Sequence, residues 1–152
     1  MAIDADAALA YRFEPQVVTV ERGRLAFFAK ATGQRNPVYF DLDAARAAGH
    51  PDLPVPPSFP FSLELERPDP FDWLTALGVD LRTVLHGEQS FTYHATAYAG
   101  DVLTLRSRVV DLTVKKNGAL EVLSKSTTVT RGAQPVAEAV SVIVVRNPEG
   151  EK

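Results

Sequence analysis

The sequence predicts an α+β domain, on three observations. Before Gly78 the chain reads as helices broken by glycine and proline. From Leu85 onward the apolar period falls to two. An Asn117-Gly118 pair then separates two long alternating stretches, a strong hairpin signal. Helices grouped ahead of antiparallel strands point to α+β and away from βαβ repeats.

In order, residues 1–11 read as a loose tail, residues 12–147 as one domain, and residues 148–152 as a second tail. A short strand is predicted at Gln16 to Val18. Thr19 is placed to cap a helix over Val20 to Thr32, in which Leu25, Phe28, Ala29 and Thr32 fall at i, i+3, i+4 and i+7. Gly33 stands where a left-handed residue would end that helix. Asp41 is placed to cap a second helix, Leu42 to Ala48, closed by Gly49 and Pro51. Five prolines between Pro51 and Pro60 make a rigid loop. A helix over Phe61 to Gly78 follows, interrupted by Pro68 and Pro70, so Phe71 to Leu77 forms a separate turn or two.

In the strand region, Phe91, Tyr93, Ala95 and Ala97 alternate with Thr92, His94, Thr96 and Tyr98. Gly100-Asp101 marks a turn into a strand over Val102 to Val114, with Leu103, Leu105 and Val109 on one face. A type I′ turn at Asn117-Gly118 pairs Val114 with Glu121 and Arg108 with Thr127. Strands over Glu121 to Arg131 and Pro135 to Arg146 complete the sheet. The last has Ala137, Ala139, Ser141, Ile143 and Val145 on one face and Val140, Val142 and Val144 on the other. Both faces are therefore expected to be covered. A helix wrapped by four or five such strands is a hot-dog arrangement.

Composition narrows the function. A hydrophobic share of 45% and a charged share of 23% fit an ordinary globular chain. A net charge of −3 gives no electrostatic reason to expect nucleic acid or a membrane surface as partner. No apolar stretch approaches the roughly 20 residues needed to span a bilayer. Asp4 and Asp6 precede the first basic residue, Arg12, which predicts no signal peptide and a cytoplasmic location. The absence of cysteine removes disulfides, thiolate metal sites and cysteine nucleophiles. His50, His86 and His94 show no metal-ligand spacing, so neither metal nor other cofactor is expected.

The segment Phe28-Ala29-Lys30-Ala31-Thr32-Gly33-Gln34-Arg35-Asn36-Pro37-Val38-Tyr39-Phe40-Asp41 resembles the hydratase motif of the MaoC-like family, roughly A-x-x-T-G-D-x-N-P-x-H-x-D. Ala29, Thr32, Gly33, Asn36, Pro37 and Asp41 fit. Gln34 stands where the family has its catalytic Asp, and Tyr39 where it has its catalytic His. A second stretch, Leu85-His86-Gly87-Glu88-Gln89-Ser90-Phe91-Thr92-Tyr93-His94 followed by Ala99-Gly100-Asp101, resembles the FAS1-like N-terminal half of two-domain MaoC proteins. It is equally similar to the non-catalytic subunit of mycobacterial-type heterodimeric hydroxyacyl-carrier-protein dehydratases. Pro54-Val55-Pro56-Pro57-Ser58-Phe59 resembles the loop entering their central helix. The likeness runs from about Arg12 to Arg146.

This resemblance implies a dimerising hot-dog fold and an acyl-CoA or acyl-carrier-protein thioester as ligand. Hydration of an enoyl thioester needs one group to take a proton from water and another to give one to the α-carbon. Gln34 does not titrate, and a tyrosine's reference pKa of about 10 lies some three units above the working range. The thioester oxygen also needs backbone N–H donors near the start of the central helix. Pro56 and Pro57 supply none, which leaves Ser58 and Phe59.

The same residues have plainer readings. Asn36-Pro37 also starts turns, Asp41 reads better as a cap than as a catalyst, and Asp43 as a complement to the helix dipole. His94 reads as a surface residue and His86 as structural, although its loop leads into the central strand. Glu64 is the carboxylate a hot-dog thioesterase would use, but Glu64 and Glu66 read better as a solvated helix edge balanced by Arg67. Arg106, Arg108, Lys115, Lys116, Lys125 and Arg131 would attract CoA phosphates or an acidic carrier, but read better as a solvated face that blunts edge pairing.

The expected function is a hydratase or dehydratase subunit without its own acid–base pair. A partner hot-dog chain would supply Asp and His, while Asn36, Pro37, Ser58, Phe59, Phe61, Leu63, Trp73 and His86 shape the acyl site. The alternatives are a homodimeric acyl-thioester binding protein without chemistry, and a thioesterase using Glu64.

Overall fold

The computed structural model describes residues 2–147. Among them, one antiparallel sheet holds β1 (Gln16–Thr19), β2 (Val84–Tyr93), β3 (Val102–Lys115), β4 (Leu120–Arg131) and β5 (Gln134–Arg146), in the order β1-β3-β4-β5-β2. The helices are α1 (Ala5–Ala10), α2 (Arg22–Ala31), α3 (Leu42–Ala47), α4 (Phe59–Glu64) and α5 (Asp72–Ala76). Alternation makes one sheet face apolar: Leu103, Leu105, Leu123, Val129, Ala137, Ala139, Ile143 and Val145 are buried. Phe59 and Leu63 of α4 pack on one end of this face with Leu103, Leu105 and Val129. Trp73 and Leu74 of α5 pack on the other end with Val109, Leu123 and Ile143. This is the hot-dog fold. Each large side chain so buried contributes about 1.5–3 kcal/mol before the entropy of ordering is charged against it.

Several elements differ from the sequence reading, each for a local reason. The helix against the sheet is short. It begins at Phe59, because Pro60 sits in its first turn, where a missing N–H costs nothing. It ends at Glu64 as Leu65 and Glu66 donate to Ser62 and Leu63 in tight three-residue turns. Thr19 does not cap α2. It is held extended in β1 opposite Val102, and Glu21 takes the cap position without a side-chain hydrogen bond. β2 stops at Tyr93, where His94 and Ala95 both donate to the Val136 carbonyl. The chain then leaves the sheet, and Tyr98 bridges to Pro54 of the proline loop. The hairpin loop is four residues long. Lys116, Asn117 and Gly118 all have positive φ, and Lys115 pairs with Leu120. Val114 faces Glu121 as expected, but a bulge between Val109 and Asp111 shifts Arg108 opposite Ser126.

The N-terminal segment, read as a loose tail, forms α1. Asp4 caps it by accepting from the Ala7 N–H, and Ala8 is fully buried. Glu121, itself buried, anchors both ends of the described chain. Its Oε1 accepts from the Ile3 N–H at 2.7 Å and its Oε2 from Asn147 Nδ2 at 2.6 Å. Hydrogen bonds to a charged acceptor are worth about 1.5–3 kcal/mol. Glu121→Ala is therefore expected to cost about 2–3 kcal/mol and to expose residues before Tyr11 to protease. Equal proteolysis of variant and parent would refute the anchor. The expected tail at 148–152 lies outside the described residues.

Candidate functional site

Helical spacing makes α4 a partition. Pro60 and Leu63 face one side and Phe61 and Glu64 the other, and a cavity lies on each. The first, of about 610 Å³, lies among the motif loop, the proline loop and the end of β2. Asn36, Tyr39, His50, Leu63 and Tyr93 are among its lining residues. The second, of about 410 Å³, lies among α4, α5 and the sheet. Phe61, Glu64, Trp73, His86, Lys125 and Ser141 are among its lining residues. Both volumes are in the ordinary range for ligand pockets, about 300–1,000 Å³.

The motif loop is built by local capping. Gly33, at φ 77°, ends α2, and the Gln34 N–H donates to the Ala29 carbonyl at 2.9 Å. Asn36 Oδ1 accepts from the Val38 N–H at 3.1 Å and starts the 3₁₀ turn Pro37–Tyr39. Asp41 Oδ1 accepts from the Ala44 N–H at 2.8 Å and caps α3. Asp41 is thus a cap, and Asp43 lies in the first turn of α3. The loop points Asn36 and Tyr39 into the first cavity, whereas Gln34 and Pro37 do not line it.

The two expected thioester-oxygen donors are both engaged. The Ser58 N–H donates to the Tyr93 hydroxyl at 3.2 Å, and the Phe59 N–H to the Pro56 carbonyl at 3.2 Å. Ser58 is held at φ 68°, a left-handed conformation that is costly for a side-chain-bearing residue. Phe59 is a core residue in edge contact with Phe28, 5.2 Å between ring centroids.

Two contacts at this cavity were not legible in the sequence. Tyr93 reaches Ser58 across 35 residues. His50 Nδ1 lies 3.3 Å from the Tyr98 hydroxyl, a pairing made by the Pro54–Tyr98 bridge. Neither carries a local signal, because both depend on where β2 ends.

The second cavity gathers Phe61, Trp73 and His86, three of the expected acyl-site residues. His86 Nε2 lies 3.1 Å from the Glu88 carbonyl, and its ring sits 4.9 Å from that of Phe61. Its base holds what the sequence reading misplaced. Glu64 is 6% exposed, and Lys125 Nζ approaches its Oε2 to 2.6 Å. That carboxylate oxygen lacks an aligned hydrogen bond. Arg67 does not balance it, but donates to Gln16 Oε1 and the Glu14 carbonyl. Glu66 pairs with Arg24. Of the hairpin cations, Arg106, Arg108, Lys115 and Lys116 are exposed as expected. Lys125 turns inward, and Arg131 pairs with Asp101 at 2.5 Å. His94 is exposed, 3.2 Å from Glu138. Among the described residues no cluster of three or more His, Asp or Glu side chains is placed to hold a metal ion, and no helix is long and apolar enough to cross a membrane.

One ion pair braces the rim of the proline loop. Arg22 donates to both oxygens of Asp52, at 3.0 and 2.7 Å, and these hydrogen bonds hold the Asp52 carboxyl below the usual carboxylate range. A depressed carboxyl stabilises the fold fully above its unfolded pKa of about 3.9 and loses that contribution as pH falls through the folded value. Asp52→Asn is therefore expected to lower the melting temperature slightly at neutral pH, with a deficit that shrinks as pH falls below about 4. A deficit that persists undiminished in strong acid would refute this.

Residues 7–139 match the family model described as FAS1-like, dehydratase domain region. The chain belongs to the FAS1-like dehydratase family. Family relatives include a UPF0336 protein of Leifsonia xyli, 40% identical over 136 residues that make up 86% of this chain and 87% of that one. A UPF0336 protein of Thermobifida fusca is 34% identical over 148 residues, 96% and 95% of the two chains. Among solved structures, the ChsH1-ChsH2 complex of Mycobacterium tuberculosis superposes with a TM-score of 0.74 at 24% identity, over 95% of this chain and 94% of that one. The HadBC 3R-hydroxyacyl-ACP dehydratase complex of the same organism gives 0.72 at 21%, over 88% and 93%. A MaoC-like dehydratase gives 0.80 at 18%, over 94% of this chain but 44% of that longer one. At these identities the structural likeness establishes the fold of this FAS1-like dehydratase chain, which is that of the MaoC-like dehydratases.

Proposed function

We propose that this chain is the thioester-binding, non-catalytic subunit of an (R)-specific enoyl-thioester hydratase or 3-hydroxyacyl-thioester dehydratase. The observation that carries the reading is the first cavity. The motif loop beside it keeps the scaffold of the hydratase motif, from Gly33 to Asp41, but Gln34, outside the cavity, and Tyr39, which lines it, replace the acid–base pair. The engagement of the Ser58 and Phe59 N–H groups by Tyr93 and Pro56 supports it. In this reading a catalytic hot-dog chain supplies Asp and His and joins at β2. That strand pairs only with β5 among the described residues and exposes Leu85 and Tyr93. The second cavity, bordered by Val84 and His86 of β2, then receives the acyl chain of a CoA or carrier-protein thioester. The two-chain architecture of the similar ChsH1-ChsH2 and HadBC complexes supports a heteromeric assembly, and a cytoplasmic location accords with such chemistry.

The test is to purify the chain alone and with hot-dog chains encoded beside it, and to follow crotonyl-CoA hydration. Activity is expected only with a partner that carries an intact D-x-N-P-x-H motif. Robust hydration by the chain alone, surviving Tyr39→Phe and Gln34→Ala, would overturn the proposal. A stable homodimer that binds CoA esters without turnover and recovers no partner would favour a plain binding protein. Release of free CoA dependent on Glu64 would favour a thioesterase.

A further inference from the structure

We infer that the second cavity selects acyl chains carrying a neutral oxygen function, a hydroxyl or a carbonyl, at the end remote from the thioester, and that Glu64 and Lys125 read it. The inference rests on the thioester-binding reading above.

The cavity is walled by apolar side chains, including Phe61, Leu65, Phe71, Trp73 and Ile143. Such walls suit a hydrocarbon. Its base does not. Glu64 is 6% exposed and the Lys125 side chain 12%, and the two meet at 2.6 Å. Burying two charges removes several kcal/mol of hydration from each, and the mutual attraction repays this only when hydrogen bonds satisfy the remaining lone pairs and protons. That condition is met only in part, because Lys125 Nζ, 2.6 Å from Glu64 Oε2, makes no aligned hydrogen bond to it. Two faces of the Lys125 ammonium rest near the rings of Phe13 and Trp73, at 5.9 and 5.8 Å. Such contacts lend electrostatic support but offer no acceptor for an N–H. Nearby, Ser141, which also lines the cavity, donates its hydroxyl proton to Gln89 Oε1 at 2.6 Å.

A saturated chain end pressed against this base would exclude water from both ions and return nothing. A terminal hydroxyl would accept from Lys125 and donate to the Glu64 carboxylate, completing the hydrogen bonding of both. A terminal carbonyl would accept from Lys125. A carboxylate suits the site less well, since the pair is already neutral and a third charge would stand beside Glu64 uncompensated. A purely structural pair predicts no discrimination between these chain ends.

The test is calorimetric titration of the full-length chain with octanoyl-CoA, ω-hydroxyoctanoyl-CoA and ω-carboxyoctanoyl-CoA, with CoA as control. The hydroxylated chain is expected to bind about tenfold tighter than the plain one, about 1.4 kcal/mol, and the carboxylate no tighter than the plain chain. The preference should vanish in Glu64→Leu/Lys125→Met, which nearly keeps side-chain volume and removes both polar groups. If that variant does not fold, Glu64→Met/Lys125→Leu serves, since it too leaves neither charge unpaired. Plain octanoyl-CoA binding as tightly as the hydroxylated ester, or a preference that survives substitution, overturns the inference and leaves the thioester reading standing. Octanoyl and hydroxyoctanoyl esters that both bind no tighter than CoA itself overturn the two together.

Discussion

Replacing Glu64 by leucine, or Lys125 by methionine, is expected to lower stability by about 3–5 kcal/mol, because it leaves an unpaired charge in a buried site. For a chain of this size that corresponds to a fall in melting temperature of roughly 6–20 °C. The loss is large because both side chains are largely buried and neither can swing out to the surface without moving its element. Glu64 ends α4, whose Phe59 and Leu63 are locked in the core, and Lys125 lies mid-strand in β4 between β3 and β5. The double substitution Glu64→Leu/Lys125→Met removes both charges together and is expected to be near neutral or stabilising, as when a buried ion pair is exchanged for hydrophobic residues of similar volume. The three variants form a cycle, and thermal unfolding followed by circular dichroism reads it. Single substitutions that each cost less than about 1 kcal/mol would show a pair screened by water. A double variant as unstable as the sum of the singles would show two independent defects in place of one coupled pair.

This pair also shows where sequence reading stops. The order of elements, the helix over Arg22–Ala31, the split of the proline-broken helix and the strand alternation were legible because each follows from periods and breakers within a dozen residues. So were the turn at Asn36-Pro37, the cap at Asp41 and the end of α2 at Gly33, which are contacts over two to five residues. Glu64 and Lys125 lie far apart in sequence and each looks like an ordinary surface charge. Only the register of β4 against the position of α4 brings them together. Register was itself imperfectly legible, since the bulge between Val109 and Asp111 moves by one residue every pairing on the side away from the hairpin turn. The helix at Ala5–Ala10 was missed for a similar reason. Its alanine-rich sequence has no apolar stripe, and the Glu121 carboxylate that anchors the preceding Ile3 comes from the other end of the chain.

Restoring the missing acid and base, through Gln34→Asp and Tyr39→His together, is expected to leave the isolated chain within about tenfold of the uncatalysed hydration rate. A correctly placed acid or base is ordinarily worth about 10²–10⁴-fold, so the prediction turns on placement. Tyr39 lines the first cavity, but Gln34 does not. The chain direction at Gln34 is fixed by its N–H bond to the Ala29 carbonyl and by the left-handed Gly33 before it. An aspartate there would titrate without reaching the atoms a histidine at position 39 faces. The second obstacle is independent of the first. With the Ser58 N–H bound to Tyr93 and the Phe59 N–H bound to Pro56, developing charge on a thioester oxygen meets no free donor, and such a donor is worth about 10²–10³-fold. The obstacles can be separated by adding Tyr93→Phe, which releases the Ser58 N–H. A gain seen only in the triple variant would assign Ser58 as the donor and show that the motif loop still places its carboxylate well. A gain of a hundredfold or more in the double variant would mean that the loop and the donor are both competent, and that only two side chains separate this chain from a catalyst. No gain in either would place the defect in the geometry of the cavity.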